Sequence, residues 1–365
     1  MSDDHAHMRS ALSLAQRGLG QTWPNPSVGC VIVKNGRVLG RATTAIGGRP
    51  HAETQALAMA GAAARGATVY VTLEPCSHHG HTPPCAEALI RAGVARVVIA
   101  SSDPDPRVSG RGVALLKAAG IAVTEDVLRS EGDAVAEGFV RRVTLGRPMV
   151  TLKLASTLDG RIATASGESK WITGTAARRD VQMLRARHDA VMVGIGTALA
   201  DDPDLTCRLD GARTRPLVRV IADSDLRTPL TSRLVQTAHI APVWLVCAPD
   251  APRKTFPAGV EIIATDRRDA ASLLTALGAH GLTRVLVEGG GQLAAALLAA
   301  DLVDRLVWYH APAVLGGDAL AAVRDMAISR LADMQRFERV AHRGIGHDIR
   351  SEFRRAVLPA ATGMG

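Results

Sequence analysis

Three residues early in the chain could carry metal chemistry by type and spacing: His51, in His51-Ala52-Glu53, and the cysteines of Pro75-Cys76 and Cys85. One imidazole and two thiolates make a three-ligand zinc shell. Structural zinc sites usually close with four protein ligands, whereas catalytic sites keep the fourth position for water or substrate. Two thiolates neutralise the dication, and the metal still lowers the pKa of bound water to about 7. Glu53 stands close enough to the imidazole to move protons without binding the metal. A carboxylate in that place takes a proton from the water and delivers it to a departing amine.

His-x-Glu followed by Pro-Cys and a second Cys is the arrangement of zinc deaminases, in which the activated water attacks an amidine-like ring carbon and ammonia leaves. A structural zinc, or two unrelated core cysteines, remain alternatives here, because His78, His79 and His81 lie between the cysteines and could close the shell. The commonest deaminase spacing has two residues between the cysteines. Here Ser77-His78-His79-Gly80-His81-Thr82-Pro83-Pro84 intervenes. Its Gly and Pro content predicts a loop, and loops at active sites often recognise substrate.

Regular elements must hold these groups. The apolar run Ala67 to Leu73 predicts a buried strand ahead of Cys76. Helices are predicted to begin at His51 (through Ala60) and at Cys85 (through Arg91), where the partial positive charge of a helix N-terminus favours thiolate and hydroxide. Met8, Ala11, Leu12, Ala15 and Leu19 form a helical stripe, and Val28–Val33 reads as a strand followed by the hairpin turn Asn35-Gly36 and a second strand from Arg37. Strands at 96–100 and 121–124 and helices near 112–119 and 130–145 complete the first half. Strands separated by helices predict a three-layer α/β/α sandwich. Gly146-Arg147-Pro148 is the expected boundary, giving domains 1–146 and 147–365. In the second half, strands are expected at 149–154, 190–193, 217–222, 243–247 and 284–288, and a helix at 175–187. A terminal hairpin is expected near 336–341 and 349–354. Glu288-Gly289-Gly290-Gly291 then enters a helix through Leu298, and a strand, three glycines and a helix can cradle a phosphate.

The whole chain sets limits. It has 365 residues, a length that suggests about two domains. Hydrophobic residues make up 47% and charged residues 21%, which permits large cores. No stretch approaches the ~18 apolar residues of a membrane span. The start, Met1-Ser2-Asp3-Asp4-His5, lacks an apolar signal core, so a cytoplasmic location and no membrane partner are expected. Five cysteines, two of them assigned to metal, argue against a disulfide framework and leave Cys30, Cys207 and Cys247 as ordinary thiols. The net charge of +8 comes from scattered arginines, and aromatic residues are only 3%. Few platforms therefore exist for stacking bases, which favours a phosphorylated small molecule over nucleic acid.

These motifs lead to a resemblance. Pro24-Asn25-Pro26-Ser27-Val28-Gly29, His51-Ala52-Glu53, Thr72-Leu73-Glu74-Pro75-Cys76-Ser77-His78-His79-Gly80 and Thr82-Pro83-Pro84-Cys85 resemble the bifunctional riboflavin-biosynthesis deaminase–reductases. The wide cysteine spacing is that family's own. In the second half the resemblance rests on Lys153 to Arg161, Gly167-Glu168-Ser169-Lys170-Trp171-Ile172, Asp201-Asp202-Pro203 and Val287-Glu288-Gly289-Gly290. It implies a cytidine-deaminase-like first domain and a dihydrofolate-reductase-like α/β second domain that uses NADPH. It also implies a phosphorylated pyrimidine substrate and a homo-oligomer. The first reaction would deaminate a phosphoribosylamino diaminopyrimidinone, and the second would reduce the ribosyl group to ribityl.

By the same resemblance His51, Cys76 and Cys85 would bind zinc, Glu53 would shuttle protons and Asn25 would hold the pyrimidine. Lys153, Ser169, Arg185, Leu205, Arg208 and Glu288 would form the reductase substrate site, with Arg185 and Arg208 suited to phosphate by their forked donors. Ala155, Trp171, Thr197, Asp201, Ser224, Gly290 and Gly291 would form the cofactor site. Two positions depart from the family pattern. His81 stands where many relatives carry Arg, which would make that contact pH-sensitive. Asp105 stands where Asn is usual, so it is expected to point away from ligand or pair with Arg107. Two rival readings are a tRNA-editing type of deaminase, and a zinc-stabilised binding module with one loop histidine as fourth ligand.

Overall fold

The computed structural model describes residues 3–78, 83–105, 108–252 and 254–356. The chain divides into two compact units, Met1–Pro148 with Gly278–Thr283, and Met149–Leu277 with Arg284–Gly365.

In the first unit, helix α1 (Asp3–Gly18) buries Met8, Ala11, Leu12 and Ala15, an apolar stripe at helical spacing. Strands β1 (Gly29–Lys34) and β2 (Arg37–Thr43) form an antiparallel hairpin. Its turn residues Asn35 and Gly36 both have positive φ, 49° and 72°, as a two-residue hairpin turn requires. Then follow α2 (Ala52–Ala60), β3 (Thr68–Leu73), α3 (Cys85–Ala92), β4 (Arg96–Ser101), α4 (Arg111–Ala118), β5 (Ala122–Thr124) and α5 (Arg129–Leu145). Among the described residues the strands form one sheet in the order β2-β1-β3-β4-β5. The β1–β3 pair is antiparallel, and the β3–β4 and β4–β5 pairs are parallel.

Alternation along these strands loads both faces of the sheet. Ile32, Val69, Val71, Val97 and Ile99 pack with Ala56 of α2, Leu89 of α3 and Leu116 of α4. Val31, Val33, Tyr70, Val98 and Ala100 pack with Met8 and Leu12 of α1 and Val135 of α5. The result is the helix–sheet–helix sandwich that the sequence predicts. It places the loops after β3 and β4 at the carboxyl ends of parallel strands, where open α/β sheets bind ligands.

The second unit runs β6 (Met149–Ser156), β7 (Arg161–Ala163), α6 (Thr175–Ala186), β8 (Ala190–Gly194), α7 (Ile195–Asp201), β9 (Val218–Ala222), α8 (Arg233–Gln236) and β10 (Val243–Cys247). It continues with β11 (Val260–Ala264), α9 (Ala270–Ala279), β12 (Arg284–Glu288), α10 (Gly291–Ala299), β13 (Arg305–His310), β14 (Leu320–Ala321), β15 (Phe337–Ile345) and β16 (Asp348–Arg355). Among the described residues the main sheet has the order β11-β10-β9-β8-β12-β6-β13-β16-β15. Every pairing from β11 to β13 is parallel, and β16 and β15 complete it in antiparallel fashion. β8, β9, β10 and β12 are buried along nearly their whole length, as parallel strands covered on both faces are. β7 and β14 pair separately. No helix among the described residues is long and apolar enough to cross a membrane.

Candidate active sites

Two helix starts and one loop bring the metal-binding groups of the first unit together. His51 caps the N-terminus of α2 with extended backbone, φ −69° and ψ 159°. Cys85 is the first residue of α3, and Cys76 lies in the loop that leaves β3 through Glu74-Pro75. His51 Nδ1 is 3.3 Å from Cys85 Sγ and 3.7 Å from Cys76 Sγ. The three ligand atoms lie within 4.8 Å of one another. Two thiols and an imidazole within reach of one ion are a donor set suited to zinc. Among the described residues no further His, Cys, Asp or Glu joins the group. His78 is outside it, while His79 and His81 lie outside the described residues.

The start of α3 is aimed at Cys76. The Cys85 backbone N–H donates to Cys76 Sγ at 3.2 Å, and the Ala86 N–H donates to the Cys76 carbonyl at 3.1 Å. The Cys76 thiol is pulled down to about 4, first by the Cys85 thiol bonded to it, then by His51 and the Cys85 amide, against the effect of burial. The Cys76 thiolate in turn holds the Cys85 thiol far above its ordinary value. His51 is raised, chiefly by its hydrogen bond to Cys76. A bound metal takes the place of such protons. Glu53 is only 3% exposed on the first turn of α2. Burial pushes its carboxyl up and the Cys76 charge adds to this. A raised carboxyl takes up and releases protons nearer neutral pH than a surface glutamate does. Asn25 donates through Nδ2 to the Gly48 carbonyl at 2.8 Å, which ties it to the segment leading into His51.

Two buried acids that have no role in the sequence reading belong to this environment, Glu74 and Asp103. Burial raises the Asp103 carboxyl to about 6. The signal for Asp103 is its place between a strand end and prolines, which is too common to single it out. Asp105 is buried, with its N–H donating to Asp103 Oδ1 at 2.9 Å. The expected partner Arg107 lies outside the described residues.

In the second unit, Lys153 of β6 and Glu288 of β12 are register partners on adjacent parallel strands. Arg185, in the last turn of α6, grips Glu288 with two bonds, Nε to Oε1 at 2.5 Å and Nη2 to Oε2 at 2.9 Å. Its Nη1 donates to the Thr206 carbonyl at 2.7 Å. The Arg185 fork that the resemblance assigns to phosphate is therefore engaged by a carboxylate buried beside it. The two side chains are 11% and 10% exposed. Burial alone would raise Glu288, but Arg185 and, less, Lys153 bring its carboxyl below the ordinary value. Burial lowers Lys153, Arg185 adds to this, and Glu288 opposes it. Arg208 is exposed, its backbone N–H held by Gln182 Oε1 at 2.9 Å. Leu205 is buried with φ +54°, and Ser169 is half-buried.

The glycine turn follows β12 directly. Gly289 and Gly290 have φ of 87° and 82°, and Gly291 begins α10. A Cβ at Gly290 would lie 3.0 Å from Thr197 Oγ1, and one at Gly291 would lie 2.8 Å from the Ala321 carbonyl. Gly290 thus packs tightly against Thr197 of α7, and Gly291 against the Ala321 carbonyl. The turn leaves amides at a helix start that suit an anion such as a cofactor phosphate. Ala155, Thr197 and Ser224 sit at the carboxyl ends of β6, β8 and β9 or just beyond them. Asp201 ends α7, with Oδ1 3.9 Å from Lys170 Nζ. Trp171 is 71% exposed, and the Arg178 guanidinium lies 4.5 Å from its ring centroid, which covers one face of the indole.

Comparison with known families gives the class that this fold and these sites define. Residues 1–101 match the cytidine and deoxycytidylate deaminase zinc-binding region, and residues 148–350 match the RibD C-terminal domain. The chain thus joins a zinc-binding deaminase domain to a reductase domain of the NADPH-dependent type. The riboflavin biosynthesis protein RibD of Escherichia coli (strain K12) is 44% identical over 361 residues, covering 95% of this chain and 98% of that protein. The RibD of Haemophilus influenzae is also 44% identical, covering 96% of each. A solved Acinetobacter baumannii RibD structure superposes with a TM-score of 0.88 at 41% identity, over 97% of this chain and 99% of that one. The Thermotoga maritima diaminohydroxyphosphoribosylaminopyrimidine deaminase/5-amino-6-(5-phosphoribosylamino)uracil reductase gives 0.87 at 36% identity, over 97% and 99%. This chain belongs to the RibD family, the bifunctional deaminase–reductases of riboflavin biosynthesis.

Proposed function

We propose that the first domain hydrolyses the 2-amino group of 2,5-diamino-6-(5-phosphoribosylamino)pyrimidin-4(3H)-one. The second domain then reduces the ribosyl group of the product, 5-amino-6-(5-phosphoribosylamino)uracil, to ribityl. The reading rests first on one observation, the His51–Cys76–Cys85 group with the buried Glu53 on the same helix turn as His51. The activity for which the Thermotoga maritima relative is named supplies the substrate class.

His51, Cys76 and Cys85 would hold a zinc ion, which would supply an electrophile that acidifies water. Glu53 accepts a proton at its carboxylate and passes it to the departing nitrogen, so that ammonia leaves. Asn25 holds the pyrimidine beside the entry to α2. In the second domain Lys153, Ser169, Leu205, Arg208 and Glu288 bind the phosphoribosyl compound, with the exposed Arg208 meeting phosphate. Arg185 serves this site by fixing Glu288 through its fork. NADPH supplies the hydride. Gly290 and Gly291 take a cofactor phosphate at the start of α10, and Ala155, Trp171, Thr197, Asp201 and Ser224 line the remainder of the cofactor site. The ligand is a phosphorylated small molecule and not a nucleic acid, in keeping with the scarcity of aromatic residues.

NADPH oxidation by the zinc-loaded protein tests both halves when it is started with the diaminopyrimidinone compound. Oxidation should stop on zinc removal and return when the deaminated compound is supplied. No oxidation with either compound would overturn the reading.

A further inference from the structure

Glu74 lies directly ahead of Pro75-Cys76 and is 4% exposed, yet it has no cationic side chain bonded to it among the described residues. Its carboxylate instead accepts four backbone N–H groups. Oε1 takes Gly112 at 3.0 Å and Val113 at 3.2 Å, both in the first turn of α4. Oε2 takes Gly110 at 3.1 Å and Asp103 at 3.4 Å. Helix-start amides have no partner within the helix, and a carboxylate satisfies them with charge-assisted bonds. The Glu74 backbone N–H is also fixed, donating to the Ser101 carbonyl at 2.9 Å. One residue further on, the Pro75 carbonyl approaches Gly112 so closely that a Cβ there would lie 2.1 Å away. The chain therefore reaches Cys76 from an anchor held by β4 on one side and by α4 on the other.

We propose that Glu74 is a positioning residue of the deaminase site. It sets the loop that carries Cys76 so that Sγ meets His51 and the start of α3 before any metal arrives. The same carboxylate holds the segment of Asp103, so ligand loop and neighbouring loop share one anchor. The inference rests on the reading of His51, Cys76 and Cys85 as metal ligands. Glu74→Gln keeps the shape but turns an amide donor towards two of the N–H donors, whichever way it is flipped. Gly112→Ala perturbs the same contact from the other side.

The test uses the full-length protein loaded with cobalt and, separately, with zinc. Both variants should shift the thiolate-to-cobalt absorption and raise the zinc dissociation constant at least tenfold in chelator competition. NADPH oxidation with the deaminated compound should be unchanged in both. In the unmodified protein the Gly110 and Gly112 amides should exchange slowly with and without metal. Absence of thiolate–cobalt absorption in the unmodified protein would sink the ligand reading itself. Normal absorption and zinc affinity in both variants would leave the ligands intact and overturn the positioning role. Exchange of the Gly110 and Gly112 amides at the rate of open loop amides would overturn it too, whether or not the variants fold.

Discussion

Replacing Arg185 by leucine should destabilise the second domain by about 3–5 kcal/mol, the usual result of stranding one member of a buried ion pair. The geometry argues for the full range. Both Glu288 oxygens are engaged, at 2.5 and 2.9 Å, and the pair is 11% and 10% exposed. The lost bond to the Thr206 carbonyl adds about 0.5–1.5 kcal/mol. Lys153, the register partner of Glu288, remains to offset part of the stranded charge. Glu288→Leu strands the guanidinium instead and should cost a similar amount. The two losses should not add, because the double variant leaves neither charge without a partner. It should be more stable than the sum of the singles predicts by about 2 kcal/mol or more. Urea unfolding of the four proteins, followed by far-ultraviolet circular dichroism, closes the cycle. Additivity within about 0.5 kcal/mol would refute the coupling. It would mean that Arg185 is free of Glu288 in solution and available to phosphate after all.

Glu53→Gln should keep zinc but lower ammonia release by about 10²–10⁴-fold, with NADPH oxidation on the deaminated compound intact; retained deamination would remove Glu53 from proton transfer. Gly290→Ala must hold a side chain at φ 82° and against Thr197, a strain of ~1–2 kcal/mol. NADPH affinity should fall about tenfold or more with ammonia release unchanged, and an unaltered KM for NADPH would exclude the turn from the cofactor site. His188 is buried, with Nε2 2.9 Å from Thr151 Oγ1 and Nδ1 2.6 Å from the Leu184 carbonyl. Burial, assisted by Arg284 and Arg213, pulls it down to about 3, against an unfolded value of ~6.5. The unfolded chain therefore binds the extra proton between these values. Stability is full above pH ~6.5 and falls by up to ~1.4 kcal/mol per pH unit as the pH drops towards the folded value. His188→Gln should flatten that slope in acid unfolding of the second domain, and an undiminished slope would assign it to other groups.

How far the sequence exposes each site depends on what joins its residues. The metal group is legible because every member sits at an element boundary with a local signal. His51 precedes a helical run, Cys85 follows Pro83-Pro84 into another, and Cys76 follows an apolar strand. The three layers are legible for the same reason, since Val31 and Ile32 alternate between two apolar faces. In the second domain the decisive contacts arise from sheet order. β12 inserts between β8 and β6, which makes Glu288 the neighbour of Lys153 and brings Arg185 to it across 103 residues. Helical and strand periodicity carry no information about that insertion, so the Arg185 fork reads as free for phosphate when it is engaged. The same limit hides β13, whose run Leu306-Val307-Trp308-Tyr309 is short but lies inside the sheet beside β6. It also hides α7, whose seven residues give too little periodicity to predict a helix carrying Thr197 and Asp201.

Glu74 marks the boundary between what is legible and what is not. A charged residue at the end of an apolar strand reads as the point where the chain meets water. Here it is buried because two loops and a helix start turn four N–H groups towards it. The cue in the sequence is Gly112, a glycine in a helical stretch that leaves room for the Pro75 carbonyl. Neither residue announces the other, because they are linked by the parallel β3–β4 pairing and the return of α4 across it. A metal ligand can thus be read from its type, while the group that sets its height emerges only once the backbone is closed around it.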